Sequence, residues 1–366
     1  MPNAAEPDAH VYAVIMAGGS GTRFWPVSRA AAPKQLVRII GDTTMIQATV
    51  ARLQPYIPAE RVLVVTTAAL AAETRRQLPM LKAEHVIAEP VGRDTAACVG
   101  LAALVVRALD PQGVMILLPA DQVITPADAF QAALAAGVHT ARAGNLVTFG
   151  IQPRFPATGY GYIEVGERIG LDGGSVIDRV ARFVEKPDIA RAREYLAHGG
   201  YRWNAGIFAW TVDLVINELT THCAWLMEAL APLASAWGTP AWERVLAEVY
   251  QPLRRISIDY ALMEKSQRIC VVTGEFAWDD VGSWDSLYDH LPVGENDLIE
   301  RGPTIAVDCR DSLLVSETNQ VIAGIGLTGM TVVATKDAIL VVPKGRSQEV
   351  KNVVDALKTK GRTDLL

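Results

Sequence analysis

The chain is poor in cysteine: Cys98, Cys223, Cys270 and Cys309 are its only thiols, with no Cys-x-x-Cys pair among them. Its six histidines have no ligand-like spacing with these thiols. A structural zinc or a disulfide scaffold is thereby disfavoured, and any metal expected is a hard, oxygen-bound ion. Basic runs are also missing, since nothing exceeds the pairs Arg75-Arg76 and Arg254-Arg255, and the net charge is −6. No nucleic-acid partner is expected, and an anionic ligand must be gripped by local geometry. No window approaches the ~20 uninterrupted apolar residues of a membrane span. The first ten residues are polar and acidic rather than basic then apolar. The expectation is a cytoplasmic protein without membrane contact, beginning with a loose tail over residues 1–10.

Half of the 366 residues are hydrophobic, enough for one large core and an appendage. Short β-branched runs at Val11–Met16, Val62–Thr66, Val114–Leu118 and Leu146–Phe149 read as strands. Between them Thr44–Leu53, Ala69–Leu78, Thr95–Leu109 and Ala127–Ala141 have helical periodicity. This alternation predicts a three-layer α/β domain around a mostly parallel sheet, with its ligand at the carboxyl ends of the strands. From about residue 155 the pattern is mixed: Gly159–Val165 and Val176–Val184 look like strands, Arg191–Ala197 and Val212–Leu219 like helices. His222–Tyr250 reads as two helices split near Gly238-Thr239-Pro240. The α/β domain is placed at 11–296. Five short strand-like runs between Thr304 and Val342 and a closing helix at Ser347–Leu357 predict a small β-rich domain at 297–366. It could be coiled, but no strict repeat is visible. Lacking a catalytic cluster, it is expected to serve packing or oligomer contact.

The strand Val11–Met16 runs directly into Ala17-Gly18-Gly19-Ser20-Gly21-Thr22-Arg23. Glycines there let consecutive backbone N–H groups converge on an anion. The dinucleotide fingerprint fails on spacing, because Phe24 stands where its third glycine should be. A P-loop fails too, because Gly21 is followed by Thr22-Arg23 rather than by lysine. What remains is an anion-binding turn with two cations, Arg23 and Lys34. That pairing suits phosphoryl or nucleotidyl transfer, where catalysis is mostly positioning and charge neutralisation.

The run Gly18-Gly19-Ser20-Gly21-Thr22-Arg23-Phe24-Trp25-Pro26, with Ser28-Arg29 and Pro33-Lys34-Gln35-Leu36, resembles the signature of the nucleotide-sugar pyrophosphorylases. The form is that of the mannose-1-phosphate guanylyltransferases, and the resemblance extends over about residues 11–345. It implies a Rossmann-like nucleotidyltransferase domain followed by a β-helix-like one, and transfer of GMP from GTP to α-D-mannose 1-phosphate, giving GDP-mannose and pyrophosphate. On this resemblance Ala17, Gly18, Gly19, Ser20, Gly21 and Thr22 bind the nucleotide, and Arg23 and Lys34 are the catalytic cations. Asp121 at the exit of Leu117-Leu118-Pro119-Ala120 and Asp280 within Trp278-Asp279-Asp280-Val281-Gly282 are the Mg²⁺ pair, Asp280 being the one that fits the family's Trp-x-Asp-x-Gly.

The segment Glu89-Pro90-Val91-Gly92-Arg93-Asp94-Thr95 borders the base by the same resemblance, with Arg93 and Thr95 as nucleotide contacts. The family usually has Asn where this chain has Asp94, which leaves that position's role open. Glu89 has a chemical use of its own: guanine offers adjacent N1–H and N2–H donors to one carboxylate, whereas adenine presents an acceptor at N1. Gly159, Glu185, Lys186 and Asn204 are the implied sugar-phosphate contacts, with Glu164 nearby. A homodimer is expected. The fused isomerase domain of some relatives has no room before Leu366, so transferase activity alone is expected.

Three rivals stay open on the sequence. They are a pyrophosphorylase for another nucleotide or hexose 1-phosphate, a non-catalytic GDP-sugar sensor, and a nicotinamide dehydrogenase, already weakened by the broken glycine fingerprint.

Overall fold

A computed structural model describes residues 8–19 and 21–366. Residues 1–7 of the expected tail and Ser20 of the glycine loop lie outside the described residues. The rest of that tail is tied down: the Asp8 carboxylate accepts from Arg142 at 2.9 Å, and His10 pairs with Asp110 at 2.8 Å. The chain forms two compact units. One gathers the residues up to Gly18, Val50–Ala120 and Ile124–Trp278; the other gathers Gly19–Thr49, Asp121–Val123 and Asp279–Leu366. Compactness therefore groups the chain differently from a linear division at 296/297, because the glycine loop from Gly19 onward belongs with the C-terminal residues.

The first unit is built on a nine-stranded sheet. In chain order its strands are β1 (Val11–Met16), β2 (Val62–Thr67), β3 (Val86–Glu89) and β4 (Val114–Pro119); a short β5 (Val123–Thr125) stands outside the sheet. Then come β6 (Leu146–Ile151), β7 (Tyr162–Asp172), β8 (Ser175–Val184), β9 (Tyr201–Thr211) and β10 (Ile269–Thr273). The order across the sheet is β3-β2-β1-β4-β9-β6-β10-β8-β7. From β3 to β4 neighbours are parallel, as expected of strands joined by helices. β9 then inserts antiparallel between β4 and β6 and makes the sheet mixed.

β9 alternates over Tyr201–Gly206 but loses the alternation in its second half, Ile207–Trp210, which is buried on both faces. The helix Thr95–Leu109 is apolar all round and buried from Ala96 to Val106, the pattern of a helix enclosed by other layers. Its neighbours in the core include Val14, Leu117, Trp210 and Leu262. The stretch expected as two helices over His222–Tyr250 is three, Ala224–Leu230, Leu233–Ala236 and Trp242–Tyr250. Pro232 supplies the additional break, since proline cannot donate within a helix. No helix among the described residues is long and apolar enough to cross a membrane.

In the second unit Ile299–Arg301, Leu313–Ser316 and Met330–Ala334 stack in parallel, and Thr304–Val307 lies parallel to Ile322–Ile325. Leu313 is in register with Thr331 and Thr304 with Ile322, each 18 residues further on. These are the rungs of a short β-coil. Its core takes in Phe24, Trp25, Ile39 and Met45 together with Trp284, Leu313, Val333, Leu340, Val350 and Val354.

Candidate active site

The glycine loop closes on Lys34. Ala17, the first residue past β1, is buried and donates its N–H to the Val65 carbonyl at 2.8 Å. Gly19 has open space where a side chain would stand. Gly21 adopts φ 55°, and a Cβ there would come within 2.5 Å of Lys34 Cβ and 2.7 Å of its backbone nitrogen. Only glycine permits this approach. Thr22–Phe24 forms one 3₁₀ turn. The Ser28 hydroxyl donates to the Gly21 carbonyl at 2.6 Å, and the Gln35 amide donates to the Gly19 carbonyl at 3.0 Å. Arg23 is exposed.

Lys34 is 4% exposed, and its Nζ stands 3.1 Å from Asp121 Oδ2 while donating to the Asp280 carbonyl. A lysine this buried requires such partners. The turn after Asp280 is built by its neighbours. Val281 takes φ 47°, unusual for a β-branched residue. The Asp279 carboxylate accepts the Val281 N–H at 2.6 Å and is itself held by His290 at 2.9 Å. A Cβ on Gly282 would meet Asp280 Oδ2 at 3.2 Å. Of the fixed letters of Trp-x-Asp-x-Gly, Asp280 meets Lys34 through its carbonyl, and Gly282 lies close to the Asp280 carboxylate. Among the described residues no group of three or more His, Cys, Asp or Glu could hold a metal by itself. The Asp121 carboxylate and Asp280, which Lys34 reaches through its carbonyl, are chemically compatible with a hard divalent cation that binds one or two carboxylates and takes its other ligands from phosphates and water.

At the end of β3, Glu89 is 6% exposed and its Oε1 has no hydrogen-bond partner. Burial pushes its carboxyl up to about 7, against a smaller lowering influence of the Tyr250 phenol. A Cβ on Gly18 would stand 4.0 Å from Glu89 Oε2, an ordinary contact distance. Arg93 does not approach it as a free cation. Its Nε donates to the Tyr250 carbonyl at 3.1 Å and an Nη to that of Gln251, at the carboxyl end of the helix Trp242–Tyr250. The Thr95 hydroxyl accepts the Ile258 N–H at 2.8 Å. Arg93 and Thr95 thus hold the framework around Glu89, and Tyr250 is a neighbour that no local motif marks.

A third cluster gathers Glu185, Lys186, Asn204 and Asp259. Lys186, at φ 45°, donates to Glu185 Oε1 at 2.6 Å. A Cβ on Gly161 would lie 2.7 Å from Glu185 Oε2, whereas Gly159 faces open space. Asn204 Oδ1 accepts from the Thr148 hydroxyl at 2.8 Å and the Gly206 N–H at 3.1 Å, and its Nδ2 donates to Asp259 Oδ1 at 3.3 Å. This network fixes the amide's orientation. Burial pushes Asp259 up to about 7, and the Glu185 charge adds to the rise. Nothing in Ser257-Ile258-Asp259-Tyr260 as a string marks Asp259; its placement comes from the single π-turn Asp259–Met263. Glu164 instead pairs with Arg182 at 3.0 Å.

Comparison with known proteins supplies the remaining facts. A nucleotidyl transferase family matches residues 12–293, and a mannose-phosphate isomerase/GMP-like β-helix domain family matches residues 302–357. Mannose-1-phosphate guanylyltransferase of Escherichia coli strain K12 is 38% identical over 358 residues, covering 96% of this chain and 74% of that protein. The alginate biosynthesis protein AlgA of Pseudomonas aeruginosa is 38% identical over 354 residues, covering 96% of this chain and 73% of that protein. A crystal structure from Thermus thermophilus, described as a mannose-1-phosphate geranyltransferase, superposes with a TM-score of 0.85 at 36% identity, covering 95% of this chain and 99% of that one.

Proposed function

Because this chain belongs to the nucleotidyl transferases, and among them to the mannose-1-phosphate guanylyltransferases, we propose that it transfers GMP from GTP to α-D-mannose 1-phosphate, releasing pyrophosphate. The observation that carries the reading is the buried Lys34, held between the Asp121 carboxylate and the Asp280 carbonyl beside the glycine loop.

The attacking oxygen of a sugar phosphate is already anionic, so no general base is required. The protein has to align nucleophile and leaving group across the α-phosphorus and offset their repulsion. Lys34 and the exposed Arg23 are assigned to the β- and γ-phosphates and the departing pyrophosphate. Consecutive N–H groups of the turn from Ala17 to Thr22 are assigned to the phosphate chain. Asp121 and Asp280 are assigned to Mg²⁺, which when bound would supply positive charge to offset that of the reacting phosphates. Glu89, with one oxygen unpartnered, is assigned to the N1–H and N2–H of guanine. Lys186 is assigned to the sugar phosphate, with Glu185 and Asn204 to its hydroxyls.

Pyrophosphate release assayed over a matrix of GTP, ATP, UTP and dTTP against mannose 1-phosphate and glucose 1-phosphate tests the reading. GTP with mannose 1-phosphate is expected to give the highest kcat/KM. A higher value for any other pair overturns the substrate assignment, and GDP-mannose binding without any turnover overturns the enzymatic one.

A further inference from the structure

Trp25 and Arg29 belong to the signature run, yet neither has a task in the chemistry above. Both side chains point to the same acceptor. Trp25 Nε1 donates to the Leu365 carbonyl at 2.9 Å, and Arg29 Nη1 donates to that same oxygen. The rest of the guanidinium is spent as well. Its Nη2 meets Asp337 Oδ1 at 2.8 Å and its Nε donates to the Pro26 carbonyl at 2.8 Å, while Cζ lies 5.5 Å from the Trp25 ring centre. Asp337 is fixed in turn by the Thr335 hydroxyl at 2.9 Å. One planar fork therefore joins three stretches of chain, around residues 26, 337 and 365. Lysine offers a single point charge and cannot reproduce this.

From Arg29 the path to Lys34 is short. Arg29 and Ala32 exchange both backbone hydrogen bonds, at 3.0 and 3.1 Å, and after Pro33 the chain enters the 3₁₀ turn Lys34–Leu36. The turn stands over a cross-braced bed. Trp284 Nε1 donates to the Trp25 carbonyl at 3.1 Å, and the Phe24 and Trp284 rings lie 5.1 Å apart. On the far side of Lys34, Arg301 donates to the Ile39 carbonyl at 2.8 Å. Lys34 thus lies on a segment tied on both sides to the β-rich C-terminal residues.

We infer that Arg29 is a positioning residue for nucleotidyl transfer: by fastening the signature loop to Leu365 and Asp337 it makes the C-terminal residues set the place of Lys34. This rests on the reading of Lys34 as the cation that neutralises phosphate charge. It gives the C-terminal part a task in the reaction beyond packing.

The test compares full-length wild type with Arg29→Ala, Arg29→Lys and the milder surface change Asp337→Asn. The first readout is pyrophosphate release. Arg29→Ala is expected to lower kcat by on the order of 100-fold, the scale of a 1 Å misplacement of a reacting group. The KM for mannose 1-phosphate should stay within about twofold, because substrate binding that does not involve Lys34 is untouched. Arg29→Lys should recover part of the loss, and Asp337→Asn should shift kcat in the same direction by a few-fold. The second readout needs no turnover: the rate at which an amine-reactive reagent modifies Lys34 in the ligand-free protein, followed by peptide mass. Lys34 should label slowly in wild type and at least several-fold faster in Arg29→Ala and Asp337→Asn, at unchanged far-ultraviolet circular dichroism. Unchanged labelling in both variants overturns the inference whatever the enzyme does. If the variants label faster but the wild type turns over no nucleotide, the structural coupling stands and the function proposed above is overturned.

Discussion

Lys34 Nζ stands 3.1 Å from Asp121 Oδ2 with only 5% of the lysine side chain exposed. A cation held this way is already in place before any phosphate arrives, which is what preorganised electrostatic stabilisation requires. Lys34→Met keeps the aliphatic stem and removes the charge. It is expected to lower kcat by about 10²–10³-fold, the loss seen when one preorganised donor to a developing charge is removed. Asp280→Asn should also act mainly on kcat and raise the Mg²⁺ concentration giving half-maximal rate. Chelation by EDTA should stop turnover and added Mg²⁺ restore it, read by pyrophosphate release.

Gly21→Ala tests the loop's contact with Lys34 directly. The left-handed conformation costs a non-glycine residue about 1–2 kcal/mol. The added Cβ also lies within 2.5 Å of Lys34 Cβ, so the lysine must move. A fall of a few degrees in Tm is expected together with a loss of kcat much larger than that destabilisation implies. Wild-type kinetics in a folded Gly21→Ala protein would contradict the geometry drawn for the loop.

Glu89 is expected to choose the base. In Glu89→Gln the amide offers one acceptor and one donor, which suits the adenine edge better than that of guanine. The GTP-over-ATP ratio of kcat/KM should fall by the about 1–3 kcal/mol that a bidentate base contact is worth. Measured with mannose 1-phosphate held at saturation, an unchanged ratio would remove Glu89 from base recognition.

The same carboxyl sets a pH dependence. In the free protein it holds its proton up to about 7, whereas guanine's two donors need the ionised form. GTP affinity should therefore weaken as pH falls below about 7, and binding at pH 6 should release a proton. Calorimetry in buffers of different ionisation enthalpy counts it, and Glu89→Gln should release fewer. For folding the sign is opposite to that of a salt-bridged carboxylate. The unfolded chain gives up this proton near 4.5 and the folded one near 7, so stability from this group is lost as pH rises between those values.

Lys186 separates charge from fold. Lys186→Ala is expected to raise the KM for mannose 1-phosphate by about tenfold or more, as loss of a hydrogen bond to a charged group would. Lys186→Gly should raise KM equally while easing the backbone, since residue 186 sits at φ 45°. A rise in KM for GTP alone would place Lys186 elsewhere.

Local chemistry made much of this legible. β1 and the helix Thr95–Leu109 follow from uninterrupted patterns over their own residues, and their bounds agree with the structure. The glycine loop with Lys34 showed itself because steric need leaves a local mark: glycine stands where Cβ cannot. The second half of β9 was hidden by burial on both faces, which removes the period of two, although Tyr201–Gly206 does alternate. Asp259 and Tyr250 carry no motif, and only tertiary contacts bring them to Asn204 and Glu89. The β-coil was legible as strands but not as a repeat, because its few rungs are unevenly spaced, 14 residues from Ile299 to Leu313 and 18 from Leu313 to Thr331.

The two family matches meet between residues 293 and 302, a junction that invites treating the halves as exchangeable parts. The shared core of the second unit forbids that simple graft. Phe24, Trp25, Ile39 and Met45 are buried with Val315, Val333 and Val350. A chimera joined near residue 297 would present a relative's coil to a loop shaped for another, and would leave large apolar side chains badly matched. Residues 19–49 must travel with the C-terminal half for such an exchange to keep its activity. Evolution within this lineage is then expected to couple changes in these two distant stretches, so that substitutions at Trp25 or Arg29 track those around Asp337 and Leu365.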